Sequence, residues 1–346
     1  MSAPASPSDA RALIARVLPP GTTNRTAWAT DIYAAFGAMD IAATPENICA
    51  VVGITDQESN FRVDPAVPGL SAIAWKEIDK QRERAGVPSL VLQAALLITS
   101  PNGRSYKERL DAVKTEQQLS DIFEDFIGMV PMGRTFFAER NPVRTGGPMQ
   151  VSVAFAESHA AARPYPYPVA GSLRNEVFGR RGGMYFGIAH LLDYPASYDS
   201  PIYRFADFNA GHYASRNAAF QNAVALITGI PLALDGDLLR YEQGQPAKEP
   251  GNTELATRTL ARRIDMSTGD IRRDLESGRT QQFEKTRLHA RVFALADKMS
   301  GQSAPRAVLP KILLQSPKIT RKLTTDWFAN RVDTRYRACL DRSAAQ

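Results

Sequence analysis

A glutamate, Glu58, stands at the end of the predicted helix whose start is the clearest in the sequence, with Thr44 as its N-cap and Pro45 at its first position. On helical spacing it shares one face with Val51, Ile54 and Thr55, so this face is predicted to point inward and to hold the carboxyl group at the edge of the core. Partial burial and the negative end of the helix dipole both raise the pKa of such a carboxyl group. A carboxyl that stays protonated near neutral pH can act as a general acid. The alternative is a glutamate that frays into solvent.

Two later segments place polar residues beside glycine. Residues 144–151, with the sequence RTGGPMQV, enter a predicted helix whose start carries Met149 and Gln150. Glycine lets the backbone approach a ligand closely, and a glutamine amide can both donate to and accept from a sugar amide or hydroxyl. Residues 203–213, with the sequence YRFADFNAGHY, end one predicted helix and lead to the next. Each segment alone is better explained as an ordinary helix boundary.

Taken in order, these three segments resemble the lytic-transglycosylase branch of the lysozyme-like superfamily. That family shows Glu-Ser at the end of a buried helix, then Gly-x-x-Met-Gln, and later an aromatic residue followed by Asn-Ala-Gly. Residues 182–194, GGMYFGIAHLLDY, are similar to the family's helix before that last turn. The resemblance covers roughly residues 44–229. The whole chain also resembles an uncharacterised group of proteobacterial envelope lipoproteins that is described only as a domain of unknown function.

The resemblance implies a mainly α, lysozyme-like fold of the goose-type lysozyme and lytic-transglycosylase kind, and an activity on peptidoglycan. Glu58 would protonate the glycosidic oxygen between N-acetylmuramic acid and N-acetylglucosamine. The same carboxylate would then take the proton of the muramyl 6-hydroxyl, so that a 1,6-anhydro product forms and no second carboxylate is required. The residues that the resemblance assigns to substrate binding are Ser59, Met149, Gln150, Phe208, Asn209, Gly211 and Tyr213. A muramidase acting on the same bond is a related expectation.

Two departures from the family pattern favour a different class of function. Ninety residues separate Glu58 from Met149, so residues 62–140 are predicted to form a helical insertion. The aromatic residue before Asn209 is Phe208 rather than tyrosine, which removes a hydroxyl from the site. Three tyrosines are alternatives for that hydroxyl: Tyr185, Tyr203 and Tyr213. The alternative function is a non-catalytic envelope protein that holds glycan strands or a partner in a lysozyme-like groove.

Two other glutamates are candidates for the second carboxylate of an inverting glycosidase. Glu157 lies in a second Glu-Ser pair close to His159, and the two could line the cleft. Glu176 precedes Arg180 at the spacing of a helical ion pair, and this spacing favours a structural or solvated pair. The histidines and cysteines show no metal-ligand spacing, and no phosphate loop or dinucleotide motif occurs. We therefore expect no metal and no cofactor.

The apolar periodicity and the 44% of hydrophobic residues indicate an ordered, almost wholly helical chain. Helices are predicted at about 8–17, 26–39, 47–58, 71–85, 88–99, 105–128, 149–162, 172–193, 200–209 and 213–228. Basic amphipathic helices are predicted at about 252–264, 268–277, 280–299 and 320–341. These patterns indicate an N-terminal tether with helices at 1–43, a lysozyme-like domain at 44–235 and a basic C-terminal helical subdomain at 252–346. A domain boundary is placed between residues 235 and 252.

The basic excess of the chain lies in its last quarter. Lys and Arg number 42 and Asp and Glu 36, which gives a net charge of +6. Residues 251–346 carry a net charge of +9, and the first 250 residues carry −3. The basic residues that crowd this end include Arg306, Lys311, Lys318, Arg321, Lys322, Arg331, Arg335 and Arg337. They indicate either a solvated helix face or a docking surface for peptidoglycan, envelope proteins or an anionic membrane surface. No nucleic-acid-binding motif accompanies them, so no nucleic-acid partner is expected.

The termini and the cysteines leave the compartment open. The chain opens with the small polar residues MSAPASPS, which taken literally indicate the cytoplasm. They also resemble the tether of an exported lipoprotein whose signal peptide is absent from this sequence, and a periplasmic, outer-membrane-anchored protein is then expected. Cys49 and Cys339 could pair in an oxidising compartment, but the sequence favours two unlinked cysteines. No apolar stretch approaches the roughly 18 residues of a transmembrane helix.

Overall fold

The computed structural model describes residues 6–129, 141–169, 171–242, 244–314 and 323–345, and within them helices dominate. The mainly α class is thereby confirmed. In the first part of the chain the helices are α1 (Pro7–Val17), α2 (Arg25–Ala38), α3 (Pro45–Ser59), α4 (Leu70–Arg84), α5 (Ser89–Leu96), α6 (Tyr106–Ala112) and α7 (Glu116–Gly128). In the middle are strands β1 (Thr145–Gly146) and β2 (Val151–Ser152) and helices α8 (Val153–Ala162), α9 (Leu173–Phe178), α10 (Arg180–Leu192), α11 (Pro201–Ala210) and α12 (Ala214–Thr228).

The last part of the chain adds a second short pair of strands and the remaining helices. These elements are β3 (Tyr241–Glu242), β4 (Gln245–Pro246), α13 (Asn252–Arg258), α14 (Thr268–Glu276), two 3₁₀ turns (Ser277–Arg279 and Gln281–Lys285), α15 (Arg287–Ser300) and α16 (Thr325–Ala344). Both strand pairs are antiparallel. None of the helices in the described part of the chain has the length and apolar character needed to cross a bilayer.

Two helices that the sequence predicts as continuous are each broken in two. The helix predicted at 105–128 stops at Ala112, and α7 restarts after Thr115, whose side chain accepts a hydrogen bond from the backbone N–H of Gln118. The helix predicted at 172–193 breaks at Gly179, which is extended. The prediction of one continuous helix was therefore wrong at both places. In the first, Thr115 caps a new helix, and in the second, the extended Gly179 interrupts the helix, although the apolar periodicity continues.

Within the described chain the contacts divide the molecule into two compact units. One unit comprises Thr44–Ile54 and the chain from His190 onward, and the other comprises the residues before Thr44 and Thr55–Ala189. We name them the C-terminal unit and the N-terminal unit. The division falls inside α3 and α10, so each of these helices contributes residues to both units.

The N-terminal unit has a separate apolar cluster built by α4 to α7. Its buried members include Leu70, Leu96, Tyr106 and Ile122. These elements lie within the segment predicted as a helical insertion, whose last residues, 130–140, are outside the described part of the chain. A depression of about 350 Å³ lies at the edge of this cluster, between residues 66–71 and the end of α6, and no predicted site residue lines it.

The core of the C-terminal unit extends across the segment predicted as a domain boundary. Phe220 of α12, Leu238 and Leu239 of the following segment, and Phe283 and Val292 belong to one buried cluster. The stretch from 235 to 252 therefore contributes to a core that α12 shares with the later helices.

A disulfide joins Cys49 of α3 to Cys339 of α16, both in the C-terminal unit. The favoured interpretation of two unlinked cysteines was therefore wrong. Both residues are fully buried, and next to them the backbone of Gly53 packs closely against Val332 and Tyr336 of α16. Pairing depends on which helices pack together, and 290 positions of sequence separation carry no such information.

Part of the basic C-terminal surface is internally neutralised. Arg306 pairs with Asp297 at 2.7 Å, and Arg337 pairs with Asp333 at 2.7 Å. Lys318, Arg321 and Lys322 of the predicted docking surface lie outside the described residues.

Candidate functional site

Glu58 lies in the last turn of α3, at the border of a buried helix face. The helix starts as predicted, with the side chain of Thr44 accepting a hydrogen bond from the backbone N–H of Asn47 at 3.2 Å. Val51, Ile54 and Thr55 are fully buried, whereas Glu58 is half-buried. The apolar face of α3 therefore places this carboxyl group at the edge of the core, as its spacing predicts.

Ser59 follows Glu58 and ends the helix. It is almost fully buried, and its hydroxyl donates to the carbonyl of Thr55 at 3.2 Å. This hydrogen bond closes the last turn of α3. The serine therefore fixes the end of the helix from which Glu58 projects, which is a positioning role.

Met149 and Gln150 belong to a hairpin turn rather than to the start of a helix. Strands β1 and β2 pair antiparallel, the turn between them spans residues 147–150, and α8 begins only at Val153. The predicted helix start at 149 was therefore wrong. Gly147 has a φ of +72° and Gln150 a φ of +52°, so the turn uses left-handed backbone at both positions. Such a conformation is unfavourable for glutamine, so the surrounding structure must hold it.

The turn is pressed against the helices that follow it. A Cβ atom at Gly146 would collide with the ring of Phe178, and one at Gly147 would collide with the carbonyl of Val177. The two glycines are required by these close approaches. Met149 is fully buried, and its side chain fills the space that a Cβ atom at Gly187 of α10 would occupy.

Helix α10 joins the α3 carboxylate and the hairpin turn within the N-terminal unit. The hydroxyl of Thr55 donates a hydrogen bond to the Met184 sulfur of α10 at 4.0 Å. Met149 of the turn contacts Gly187, three residues further along the same helix. Positions three apart lie on one helix face. The end of α3 and the Met-Gln turn therefore pack on adjacent turns of α10, which brings the first two predicted motifs to one wall.

The side chain of Gln150 is partly engaged inside its own turn. Its amide nitrogen donates to the carbonyl of Gly147 at 3.2 Å, and its amide oxygen lies 3.5 Å from the hydroxyl of Thr145. An amide offers two donor hydrogens and two acceptor lone pairs. Gln150 is half-buried, so hydrogen-bonding capacity remains for a ligand.

The third predicted motif is organised by a buried carboxylate that the sequence reasoning missed. Asp207 of α11 is fully buried and accepts hydrogen bonds from the hydroxyls of Tyr198 at 2.6 Å and Tyr194 at 3.2 Å. It also accepts from the backbone N–H groups of Tyr213 at 2.9 Å and Ser215 at 2.7 Å. Burial raises the pKa of this carboxyl, while the hydrogen bonds favour its charged form. The sequence does carry one signal of this role, which is that Asp207 is a single carboxylate on an otherwise apolar helix face.

Two histidines extend this buried network. The ring of His212 stacks on Tyr194 at 3.9 Å and on His190 at 4.6 Å. His212 Nε2 donates to the backbone carbonyl of His190, and His190 Nε2 donates to the carbonyl of Phe208. Burial, with the neighbouring His212, lowers the pKa of His190 to about 3. These side chains hold the turn between α11 and α12, and they are neutral at physiological pH.

The four predicted sugar-binding residues of this turn differ in exposure. Phe208 and Tyr213 are buried, and Tyr213 has a φ of +67°. Asn209 and Gly211 are exposed, and the side-chain oxygen of Asn209 accepts a hydrogen bond from the hydroxyl of Thr325 at 3.1 Å. These four lie in the C-terminal unit, whereas Glu58 and the Met-Gln turn lie in the N-terminal unit.

The two additional glutamates occupy different environments. Glu157 is exposed on α8, and His159 packs instead into an aromatic cluster with Tyr185 at 5.8 Å. The Glu176 side chain is 10% exposed and accepts a hydrogen bond from the hydroxyl of Tyr165 at 2.8 Å.

The predicted pair of Glu176 with Arg180 is not the one observed. Arg180 pairs with Asp31 at 2.6 Å, and Arg181 lies 3.9 Å from Glu176. The helix break at Gly179 places Glu176 and Arg180 on different helices, so the i,i+4 spacing does not apply. Within the residues that the structure describes, no group of three His, Cys, Asp or Glu side chains converges as metal ligands would.

Comparisons with known proteins extend over nearly the whole chain. A family model described as "Protein of unknown function (DUF1615)" matches residues 21–342. A relative from Escherichia coli (strain K12), named "Uncharacterized protein YaiW", is 57% identical over 332 residues, which cover 96% of this chain and 90% of the relative. No solved structure matches the chain. The resemblance to a family of unknown function is therefore confirmed, and the resemblance to lytic transglycosylases stays a prediction.

Proposed function

The chain belongs to the DUF1615 family, and we propose that it cleaves peptidoglycan as a lytic transglycosylase or related muramidase, with Glu58 as its single catalytic acid and base. One observation carries the proposal. The end of α3, which bears Glu58, and the turn that bears Gln150 pack on adjacent turns of α10 through Thr55–Met184 and Met149–Gly187.

The position of Glu58 supports the proton transfers that this reaction needs. The half-buried carboxyl of Glu58 projects from the end of α3, and in its protonated form it would give its proton to the glycosidic oxygen as the bond breaks. The resulting carboxylate then takes the proton of the muramyl 6-hydroxyl as that oxygen bonds to the anomeric carbon. One carboxyl group serves both steps, and microscopic reversibility makes the same residue acid and then base.

The hairpin turn supports binding of an N-acetylated sugar. Gly147 and Gln150 adopt left-handed backbone there, and the remaining lone pairs and donors of the half-buried Gln150 amide match an acetamido group. The exposed Asn209 and the Gly211 backbone, in the turn between α11 and α12 of the C-terminal unit, stay predicted substrate contacts. Phe208 and Tyr213, which are buried, would support that turn from inside.

The disulfide supports a location outside the cytoplasm. Disulfides persist in oxidising compartments such as the periplasm and are rare in reducing ones. The Cys49–Cys339 bond therefore fits a periplasmic protein, where peptidoglycan is accessible. Anchoring to the outer membrane as a lipoprotein is part of the same proposal.

The test is release of soluble fragments from purified sacculi by wild type, Glu58→Gln and a control, Glu157→Gln. We expect Glu58→Gln to lower release by about 100-fold or more, because the amide can neither give nor take the proton. The control alters an exposed glutamate in a second Glu-Ser pair and should retain activity. Mass spectrometry identifies the reaction, since transglycosylation gives anhydro-muramyl ends and hydrolysis gives reducing ends. Equal release by Glu58→Gln and wild type, with both folded, would refute the assignment.

A non-catalytic role is the second candidate, and the internal hydrogen bonds favour it. The Gln150 amide bonds to Gly147, the Asn209 side chain accepts from Thr325, and Phe208 carries no hydroxyl. Polar groups already engaged can hold a glycan without activating it. Co-sedimentation with sacculi, in the absence of any released fragment from the wild-type protein, would select this candidate.

A further inference from the structure

Helix α5 is apolar on the side that faces solvent as well as on the side that faces the core. Leu92 and Leu96 point inward and pack in the cluster built by α4 to α7. On the opposite side Leu90, Val91 and Ala94 of the helix are exposed, as are Leu97 and Ile98 directly after its end, with Leu90 79% and Leu97 63% accessible. We call these five residues the α5 stripe. A helix that is apolar all round is normally buried on all sides, so the α5 stripe is a candidate contact surface that the described residues of this chain leave uncovered.

Basic residues bound the α5 stripe at both ends. No charged residue occurs between Arg84 and Arg104, and both arginines are exposed. At the first end Arg82 donates to the carbonyl of Val87 and pairs with Glu83 and Asp79. At the second end the backbone carbonyl of Arg104 accepts a hydrogen bond from the N–H of Ser100 at 2.8 Å, and its guanidinium donates to the carbonyl of Glu108 at 3.1 Å.

This combination matches an anionic lipid surface better than a protein surface. The stripe consists of aliphatic side chains, whereas the strongest contacts between proteins centre on Trp, Tyr and Arg. Aliphatic groups enter the acyl region without specific geometry, and arginines beside them bind lipid phosphates at the level of the headgroups. Helix α5 is about 12 Å long, far short of the roughly 30 Å of a hydrocarbon core, so it would lie in the interface.

We propose that the α5 stripe inserts into the outer part of a leaflet that contains anionic lipids, with Arg84 and Arg104 at the headgroups. This surface would hold the N-terminal unit at a membrane independently of any covalent lipid. The proposal does not depend on the proposed glycan cleavage, because lipid binding is measured without peptidoglycan.

The test is sedimentation of the full chain with vesicles of phosphatidylcholine, either alone or mixed with phosphatidylglycerol. We expect the wild-type protein to bind the anionic vesicles more tightly. The double variant Leu90→Ser/Leu97→Ser should bind them about tenfold or more weakly, because two exposed leucines no longer enter the acyl region. The control Leu226→Ser/Leu255→Ser removes two leucines that are each 48% exposed in the C-terminal unit, and it should bind like wild type. Arg84→Gln/Arg104→Gln should lose the preference for anionic vesicles.

Three results would overturn the proposal. The first is a wild-type protein that binds neither vesicle, and the second is a stripe variant that binds as tightly as wild type while remaining folded. The third is a wild-type dimer in analytical ultracentrifugation that the stripe variant dissociates, without vesicle binding by either protein. That third result would assign the α5 stripe to a second copy of the chain. Thermal unfolding checks that the exposed substitutions leave the fold intact.

Discussion

Met149 occupies the space beside Gly187 that any larger residue at position 187 would need. A Cβ atom there would lie 2.5 Å from both the Cβ and the sulfur of Met149. The absence of a side chain at one position of α10 therefore sets how closely the hairpin turn approaches that helix.

Gly187→Ala is predicted to push the hairpin turn away from α10. The overlap should lower the free energy of unfolding by about 1–3 kcal/mol, as overpacked cores do. If Glu58 and Gln150 act on one substrate, fragment release should also fall by about tenfold or more, because small misplacements of binding groups slow catalysis. Urea unfolding and the sacculus assay measure the two effects.

Gly37→Ala is the matched control for that substitution. Gly37 lies in α2, and a Cβ atom there meets nothing within 4 Å. It should be neutral or stabilise the protein by up to about 1 kcal/mol, since alanine favours helix over glycine. A Gly187→Ala protein as stable and active as the Gly37→Ala protein would contradict the tight packing.

Asp207→Asn is predicted to destabilise the turn between α11 and α12. Asparagine replaces one acceptor oxygen by an NH₂ donor, which then faces groups that are themselves donors, such as the hydroxyl of Tyr198. The free energy of unfolding should fall by about 2–4 kcal/mol, as buried groups lose their partners. Asp199→Asn, an exposed change nearby in sequence, should stay within about 0.5 kcal/mol of wild type. Chemical denaturation measures the stability of both variants. Equal midpoints would contradict a stabilising role for the hydrogen bonds that Asp207 accepts.

Removal of the disulfide is predicted to weaken the C-terminal unit. Cys49→Ser, Cys339→Ser and the double variant should each lose about 2–5 kcal/mol, because the bond restricts the unfolded chain across 290 residues of separation. Wild type unfolded in the presence of a reductant should match the variants. Variants as stable as the oxidised protein would show that the bond contributes little.

Acid is predicted to destabilise the protein from about pH 6.5 downward through its buried histidines. Burial lowers the pKa of His289 to about 4, with Arg216 and Arg306 adding to the effect, and that of His190 to about 3. Between about pH 6.5 and these values the unfolded state binds more protons than the folded state, so stability falls as the pH falls. Each histidine adds up to about 1.4 kcal/mol per pH unit in that window. Asp207, whose pKa is raised, acts in the opposite sense.

The measurement is the urea midpoint between pH 7 and pH 4.5 for wild type and His289→Gln. The variant should show a shallower dependence on pH, because one buried titrating group is gone. Parallel curves would show that His289 does not contribute. Comparison of slopes isolates this histidine even though the substitution itself alters stability at neutral pH.

The sequence predicts the helices well where the signal is local. The Thr44 cap, the inward face of α3 and the edge position of Glu58 all follow from residues within one helix. The start of α8 was misplaced by four residues, because a Gly-Gly-Pro turn can lead into a helix or close a hairpin. The left-handed backbone at Gln150 decides this, and a non-glycine residue gives no signal of it.

Features that depend on packing between distant segments could not be predicted. The Cys49–Cys339 pair and the pairing of Arg180 with Asp31 both join parts of the chain far apart in sequence. The role of Asp207 depends on four donors that only the folded turn brings together. The exposure of one side of α5 could not be predicted either, because an apolar helix has the same sequence pattern whether one side or both sides are covered.

The separation of the two cysteines constrains the order in which this protein can be completed. Cys49 is synthesised 290 positions before Cys339, so its thiol stays without its partner while the chain between them is made. During that time a thiol oxidase acting on the emerging chain finds no second cysteine of this sequence with which to close a bond. Closure is therefore a late event, possible only after Cys339 has been added. Since this sequence offers only one intramolecular pairing, oxidation needs no isomerase to correct it, and the error left open is a bond between two chains.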